Sequence, residues 1–137
     1  MKALVLDSEA ISQLARAKDG AARGTVHEWV RAAERMGAEI VVPAAVLAEQ
    51  YRGSGHDQAL DACLARYPGI RVVDTTRSLA RRIGNLLASV KAGSEHHVDA
   101  AVVAVALAQG GGVILTSDPG DLSRLADASP VVTVVAL

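Results

Sequence analysis

Apolar positions along this chain switch between two spacings. Ala3 to Leu6 is a short apolar run that ends on Asp7, and from Ser8 to Arg16 the apolar residues fall at 10, 11, 14 and 15. The second spacing is that of one helix face, so the segment predicts a strand and then a helix. Residues 21–36 place Val26, Trp29, Val30, Ala33 and Met36 on one side, with Gly37 following as a stop, which predicts a second helix. Glu39 to Val42 reads as the next strand, and Pro43 suits the first turn of a helix over about 44–52.

Gly53 to Gly55 reads as a break, 56–66 as a helix and Ile70 to Val73 as a strand. Thr75 or Thr76 suits the cap of a helix reaching about Val90. Ala92 to Ser94 then separates it from an Ala/Val-rich helix that starts near Glu95 and ends before Gly110-Gly111-Gly112. Val113 to Leu115 is a strand, Pro119 to Ala126 a short helix, and Val131 to Val135 a last strand. Strands separated by helical segments predict an α/β fold with a parallel sheet sandwiched between helices. No internal repeat or low-complexity linker interrupts the pattern.

Composition narrows the partners. At 137 residues, half of them hydrophobic, one domain over residues 1–137 with a substantial core is expected. No apolar run approaches the roughly 20 residues that cross a bilayer, and Met1 leads into LVLD rather than a basic stretch, so a soluble, cytoplasmic protein with no membrane partner is expected. Cys63 is the sole cysteine, which rules out an internal disulfide or a cysteine zinc cluster and leaves a small buried side chain as the plain reading. Lys and Arg number 14 against 15 Asp and Glu, so no overall basic footprint marks a nonspecific nucleic-acid binder. With no Phe, one Trp and two Tyr, a platform for stacking bases is improbable, and phosphate recognition by metal and arginine is the remaining route to nucleic acid.

The acids carry the chemistry. In an α/β sheet, ligands bind in the crevice outside the carboxyl ends of the strands, and Asp7 and Asp118 follow two such ends. Asp7 alone reads equally well as the N-cap of the next helix. Asp99 is the only charged residue from Val98 to Leu107, in a stretch that otherwise reads as a buried helix. A lone buried carboxylate is costly, so a metal or catalytic partner accounts for it better than a surface position favoured by the helix dipole. Glu49, in VPAAVLAEQYRG with Ala45, Val46 and Ala48 on the apolar face, reads on its own as a solvated helical glutamate. Asp121 is an auxiliary ligand or an ordinary side chain of the Asp118-Pro119-Gly120-Asp121 turn. Hard dications such as Mg²⁺ take oxygen ligands, typically one or two carboxylates with water and substrate phosphate. Four acids from separated segments can supply two such sites, and paired ions about 4 Å apart cleave phosphodiesters without a Ser, Cys or His nucleophile.

Taken together these residues resemble the PIN-domain ribonucleases, most closely the VapC-type toxins of bacterial toxin–antitoxin pairs. The resemblance spans essentially the whole chain through LVLDSEAISQLA, VVPAAVLAEQYRG, HHVDAAVVAVALAQGGGVILTSDPGDL and the terminal VVTVVAL. No one motif is specific, but their order and spacing are. Carried over position by position, the family's metal-binding and catalytic acids fall on Asp7, Glu49, Asp99 and Asp118, with Asp121 as a further contributor. Ser8 and Thr116 match hydroxyls that border the site. The resemblance implies a sandwiched parallel sheet, Mg²⁺- or Mn²⁺-dependent endoribonuclease activity on an RNA substrate, a homodimer, and inhibition by a small cognate antitoxin protein. The dimer is expected also from apolar helix faces around Trp29 and Val46. The chain departs from the family in Ser8-Glu9, where Thr-Ser is more usual, and in Leu122, where an aromatic is common; Ser8 keeps the hydroxyl and Leu122 the apolar anchor.

The remaining features read more plainly. His96 and His97 precede the Val98-Asp99 pair without a second histidine at metal-ligand spacing in a helix, so a surface or capping role is expected. Arg81, Arg82 and Lys91 line an RNA path or are simply solvated. Gly110 to Gly112 follows a helix and precedes a strand, the reverse of a phosphate loop, and reads as helix termination. A receiver domain would need a lysine near the end, and none follows Lys91. A haloacid-dehalogenase-like phosphatase is suggested only faintly by Asp7-Ser8-Glu9. The stronger alternative is a noncatalytic PIN-like module that binds RNA or protein, against which stands the retention of all four acids.

Overall fold

The computed structural model describes residues 1–16 and 24–137. Five strands form one sheet: β1 (Ala3–Leu6), β2 (Glu39–Pro43), β3 (Ile70–Val73), β4 (Gly112–Thr116) and β5 (Val132–Ala136). Every neighbouring pair is parallel, in the order β3-β2-β1-β4-β5. The helices are α1 (Ser8–Arg16), α2 (Thr25–Arg35), α3 (Ala44–Gln50), α4 (Ser54–Arg66), α5 (Arg77–Ser89), α6 (His97–Ala108) and α7 (Pro119–Ala126), with a 3₁₀ turn at Ser94–His96 before α6. None of them is long and apolar enough to cross a membrane.

Chain order explains the layers. From β1 to β2 to β3 the chain steps toward one edge, and from β3 it returns past β1 to β4 and β5. Right-handed crossovers put helices on opposite faces for the two directions. Accordingly α1 and α2 pack against β1 and β4 or β2, with α4 against α1, whereas α6 crosses β1, β2 and β4 and is flanked by α5 and α7. β1 is covered on both sides, and all four of its residues are fully buried. The same double burial makes α6 apolar beyond its first turn, with Ala100 to Ala106 buried in an unbroken run. Its small alanines allow close approach to the sheet, and larger side chains such as Leu4, Leu6, Ile11, Ile114 and Leu115 fill the layers between. Truncating one of these, for instance Leu115→Ala, is expected to cost about 2–5 kcal/mol.

Element ends depart from the sequence reading in small ways. The break predicted at Gly53–Gly55 falls instead at residues 51–53, because Gly53 at φ +113 turns the chain and α4 begins at Ser54. α3 stops at Gln50 rather than near 52, since Tyr51 is extended at ψ 111. Pro43 closes β2 and stands at the N-cap of α3, one position earlier than expected. The α6 helix is preceded by a 3₁₀ turn, and its start moves from Glu95 to His97. The predicted helix start at 21–23 lies outside the described residues. The apolar face of α3 is Val46 and Leu47, while Ala48 is exposed. Val46 is fully buried within this chain, so it offers nothing to a dimer surface; Trp29 is half-buried against the core.

Candidate metal centre

Strand order reverses between β1 and β4, which leave the centre of the sheet in opposite directions. A parallel sheet opens a crevice at such a switch point, outside the carboxyl ends of the two strands. The register pairs Leu6 with Leu115, so Asp7 emerges beside Thr116, and its N–H donates to the Leu115 carbonyl at 3.3 Å. Asp118 lies two residues beyond β4 at the N-cap of α7, where its carboxylate makes no capping hydrogen bond. The two acids therefore stand at the two lips of one crevice.

Thr116 ties them together. It is the one buried polar residue among those described, fully shielded from solvent. Its Oγ1 accepts the Asp118 N–H at 2.9 Å. Burial pushes the Asp7 carboxyl above the usual carboxylate range, and hydrogen bonding from the Thr116 hydroxyl and from the Ala10 and Glu9 N–H groups pulls it back in part. Asp7 does act as the N-cap of α1, Ala10 N–H donating to its Oδ1 at 3.1 Å, so capping and site membership coexist. Glu9 contributes only a slight repulsion there and pairs with Arg16 at 3.0 Å on the surface.

Asp99 enters from the opposite layer. It occupies the first turn of α6, which packs against α7, and α7 carries Asp121 in its own first turn. The Asp99 side chain is 32% exposed rather than fully buried. Its carboxyl is nonetheless pushed upward, first by burial and then by the negative charges of Asp121 and Asp118, with His96 opposing them. Three like charges thus crowd one place, an arrangement that a bound dication would neutralise. Glu49 joins from α3 by a different route: its Oε1 accepts the Ser8 hydroxyl, and Ser8 adjoins Asp7. Glu49 is exposed, and that bond engages one of its two carboxylate oxygens.

His96 departs from expectation. Its ring makes no capping hydrogen bond; it is half-buried, with Nδ1 3.8 Å from Asp99 Oδ2 and 4.0 Å from Asp121 Oδ2. Nothing in the linear sequence relates residue 96 to residue 121, so spacing alone missed the grouping. His97 is exposed, as are Arg81, Arg82 and Lys91. Cys63 is fully buried and its thiol is pushed up by burial, which suits packing rather than chemistry. The triple glycine ends α6 as expected, with Gly110 at φ +86.

Carboxylates from both helical layers thus gather near the switch point of a parallel α/β sheet. The chain belongs to the PIN-domain family, whose model matches residues 4–128. Members of that family are generally nucleases. Among solved structures the fold is similar to that of VapBC2 from Rickettsia felis bound to a DNA fragment from its promoter, with 14% identity, TM-score 0.68 and 98% of each chain covered. A toxin–antitoxin complex from Klebsiella pneumoniae is also similar, at 15% identity and TM-score 0.62 with 95% of each chain covered. No curated protein sequence matches the chain.

Proposed function

We propose that the protein is a metal-dependent endoribonuclease that cleaves RNA phosphodiester bonds as the toxin of a toxin–antitoxin pair. The observation that carries this reading is the crevice between β1 and β4, where Asp7 and Asp118 share Thr116 and where Asp118, Asp99 and Asp121 repel one another. Asp7, Glu49, Asp99 and Asp118 would hold the dications, with Asp121 contributing beside Asp99. Mg²⁺ or Mn²⁺ bound there supplies an activated water and neutralises charge on the scissile phosphate. The chain's own part is to fix the acids: Thr116 and Ala10 orient Asp7, Ser8 orients Glu49, and the first turns of α6 and α7 aim Asp99 and Asp121 at the same place. Exposed Arg77, Arg81 and Arg82 on α5, a helix without acids, offer phosphate contacts to an RNA strand.

Both structural relatives are named as toxin–antitoxin assemblies, and the fold is shared over nearly their full length. We extend from them a small cognate antitoxin as partner, and a homodimer as the working assembly, in the cytoplasm. The deciding experiment incubates the protein with defined RNAs and Mg²⁺ or Mn²⁺, with and without chelator, beside Asp7→Asn. Cleavage that needs metal and is lost in Asp7→Asn is expected. RNA binding without cleavage by the wild type would instead establish the noncatalytic module.

A further inference from the structure

The acid cluster contains a nitrogen donor. His96 Nδ1, one Asp99 oxygen and one Asp121 oxygen all lie within 4.8 Å of one another. An octahedral ion with bonds near 2.1 Å sets adjacent donors roughly 3 Å apart and opposite donors about 4.2 Å apart. The His96 separations of 3.8 and 4.0 Å exceed the adjacent-donor spacing, so the three side chains would draw together by roughly 1 Å to share one ion.

We propose that His96 is a specificity-determining residue of this centre: with Asp99 and Asp121 it forms a mixed nitrogen and carboxylate site that takes a first-row transition-metal dication in preference to Mg²⁺. The inference rests on reading the crevice as a dication centre and goes beyond it by adding a ligand and a preference. Mg²⁺ is satisfied by oxygen and holds its waters, whereas imidazole nitrogen suits transition ions and strengthens their hold over Mg²⁺.

The surroundings of the ring point the same way. Its other nitrogen, Nε2, faces Glu95 Oε1 at 3.9 Å. That separation is beyond hydrogen-bond distance, and Glu95 is exposed, so this carboxylate is placed to close on Nε2 when Nδ1 takes an ion rather than bonded to it beforehand. Glu95 reaches this position by lying over Gly93, where a Cβ would overlap its carboxylate. Arg124, which lines the same small hollow as His96 and Asp121, does not compete: its guanidinium donates to the Val90 carbonyl at 2.8 Å. A protonated His96 paired with two aspartates would show the same distances, and the experiment separates that case.

The test uses the full chain with metals alone. Free Mn²⁺ is followed by electron paramagnetic resonance while Mg²⁺ is added, and the Co²⁺-loaded protein is read by proton NMR. The wild type is expected to retain Mn²⁺ against Mg²⁺ and to show a hyperfine-shifted, exchangeable imidazole proton. In His96→Asn, which offers an amide oxygen in place of Nδ1, the Mn²⁺-over-Mg²⁺ preference should fall at least about tenfold and the shifted proton should vanish. His96→Gln is measured beside it, so that a poorly folded variant does not decide the outcome. An unchanged preference in both variants, with no shifted proton in the wild type, overturns the proposal and leaves His96 as an ion-pair partner only. In that case Asp99→Asn still weakens Mn²⁺ binding, which keeps the dication centre intact. A wild type that binds no Mn²⁺ at millimolar concentration overturns both.

Discussion

The Asp118 N–H donates to the Thr116 hydroxyl at 2.9 Å, and through that one buried side chain the end of β4 is joined to the Asp7 carboxylate at the end of β1. Replacing the hydroxyl with a methyl of the same shape, Thr116→Val, leaves the Asp118 N–H without its acceptor and the partly buried Asp7 carboxylate without a donor. The cost expected is about 1–3 kcal/mol, read as a lower midpoint in urea with an unchanged slope. Thr116→Ser should restore most of it. A Thr116→Val protein as stable as wild type would show that the hydroxyl does not hold the two strand ends.

Asp99→Asn removes one of three crowded charges and keeps the side-chain shape. Without metal the variant should melt no lower than wild type, because the repulsion from Asp121 and Asp118 is relieved. With millimolar Mn²⁺ it should gain less, since stabilisation follows RT ln(1 + [L]/Kd) and its Kd is raised. RNA cleavage is expected to drop by about 10²-fold or more. Thermal melts with and without chelator, and a gel assay, test all three clauses, and normal cleavage by the variant would remove Asp99 from the centre.

The pH dependence of the metal-free protein follows from the two raised carboxyls. Asp7 and Asp99 bind protons more tightly folded than unfolded, so the folded state holds more protons and stability declines as pH rises. Their contribution is fully favourable below the ordinary value of 3.8 and is lost as pH climbs through the raised folded values. The stability advantage of Asp99→Asn over wild type should therefore grow with rising pH above that point and then level off. Urea titrations across the acid range in the presence of chelator measure it. An advantage that shrinks with rising pH would contradict the direction assigned to Asp99.

Gly112 opens β4 directly against β1. A Cβ there would overlap the Ala3 carbonyl oxygen, an atom of rigid strand backbone rather than a flexible side chain. Gly112→Ala should force the central strand pair apart and destabilise the fold by about 3 kcal/mol or more, in line with overpacked interiors. Gly55→Ala, in the first turn of α4 with open space around it, serves as the control and should leave stability the same or slightly higher. Equal stability of the two variants would mean that β1 and β4 are not held as closely as described.

Local chemistry wrote the elements legibly. Alternation of short apolar runs with helically spaced ones placed five strands, and Thr76 caps α5 by accepting the Leu79 N–H, as its hydroxyl suggested. Asp7 and Asp118 were legible because a strand end is a sequence feature and the crevice lies at strand ends. His96 was not, because its partners belong to α6 and α7, and only packing of those helices brings residue 121 beside residue 96. Val46 misled for a related reason: a short apolar helix beside a sheet looks the same in sequence whether its face meets its own core or a second copy. Gly53 and Gly55 look alike on paper, yet one turns the chain at positive φ and the other sits inside a helix.

The strand order also sets when the crevice comes into existence. β1 is made first, yet one of its two neighbours, β4, begins at Gly112, so Leu4 must wait for Val113 before that edge is closed. Pairings so distant along the chain form late, because the intervening loop has to be closed before the contact is rewarded. On a ribosome, Asp7 emerges more than a hundred residues before Asp118 can stand beside it. A growing chain thus keeps Asp7 apart from Asp99, Asp118 and Asp121 through most of its synthesis, and the four side chains can gather only once β4 and α7 have been made.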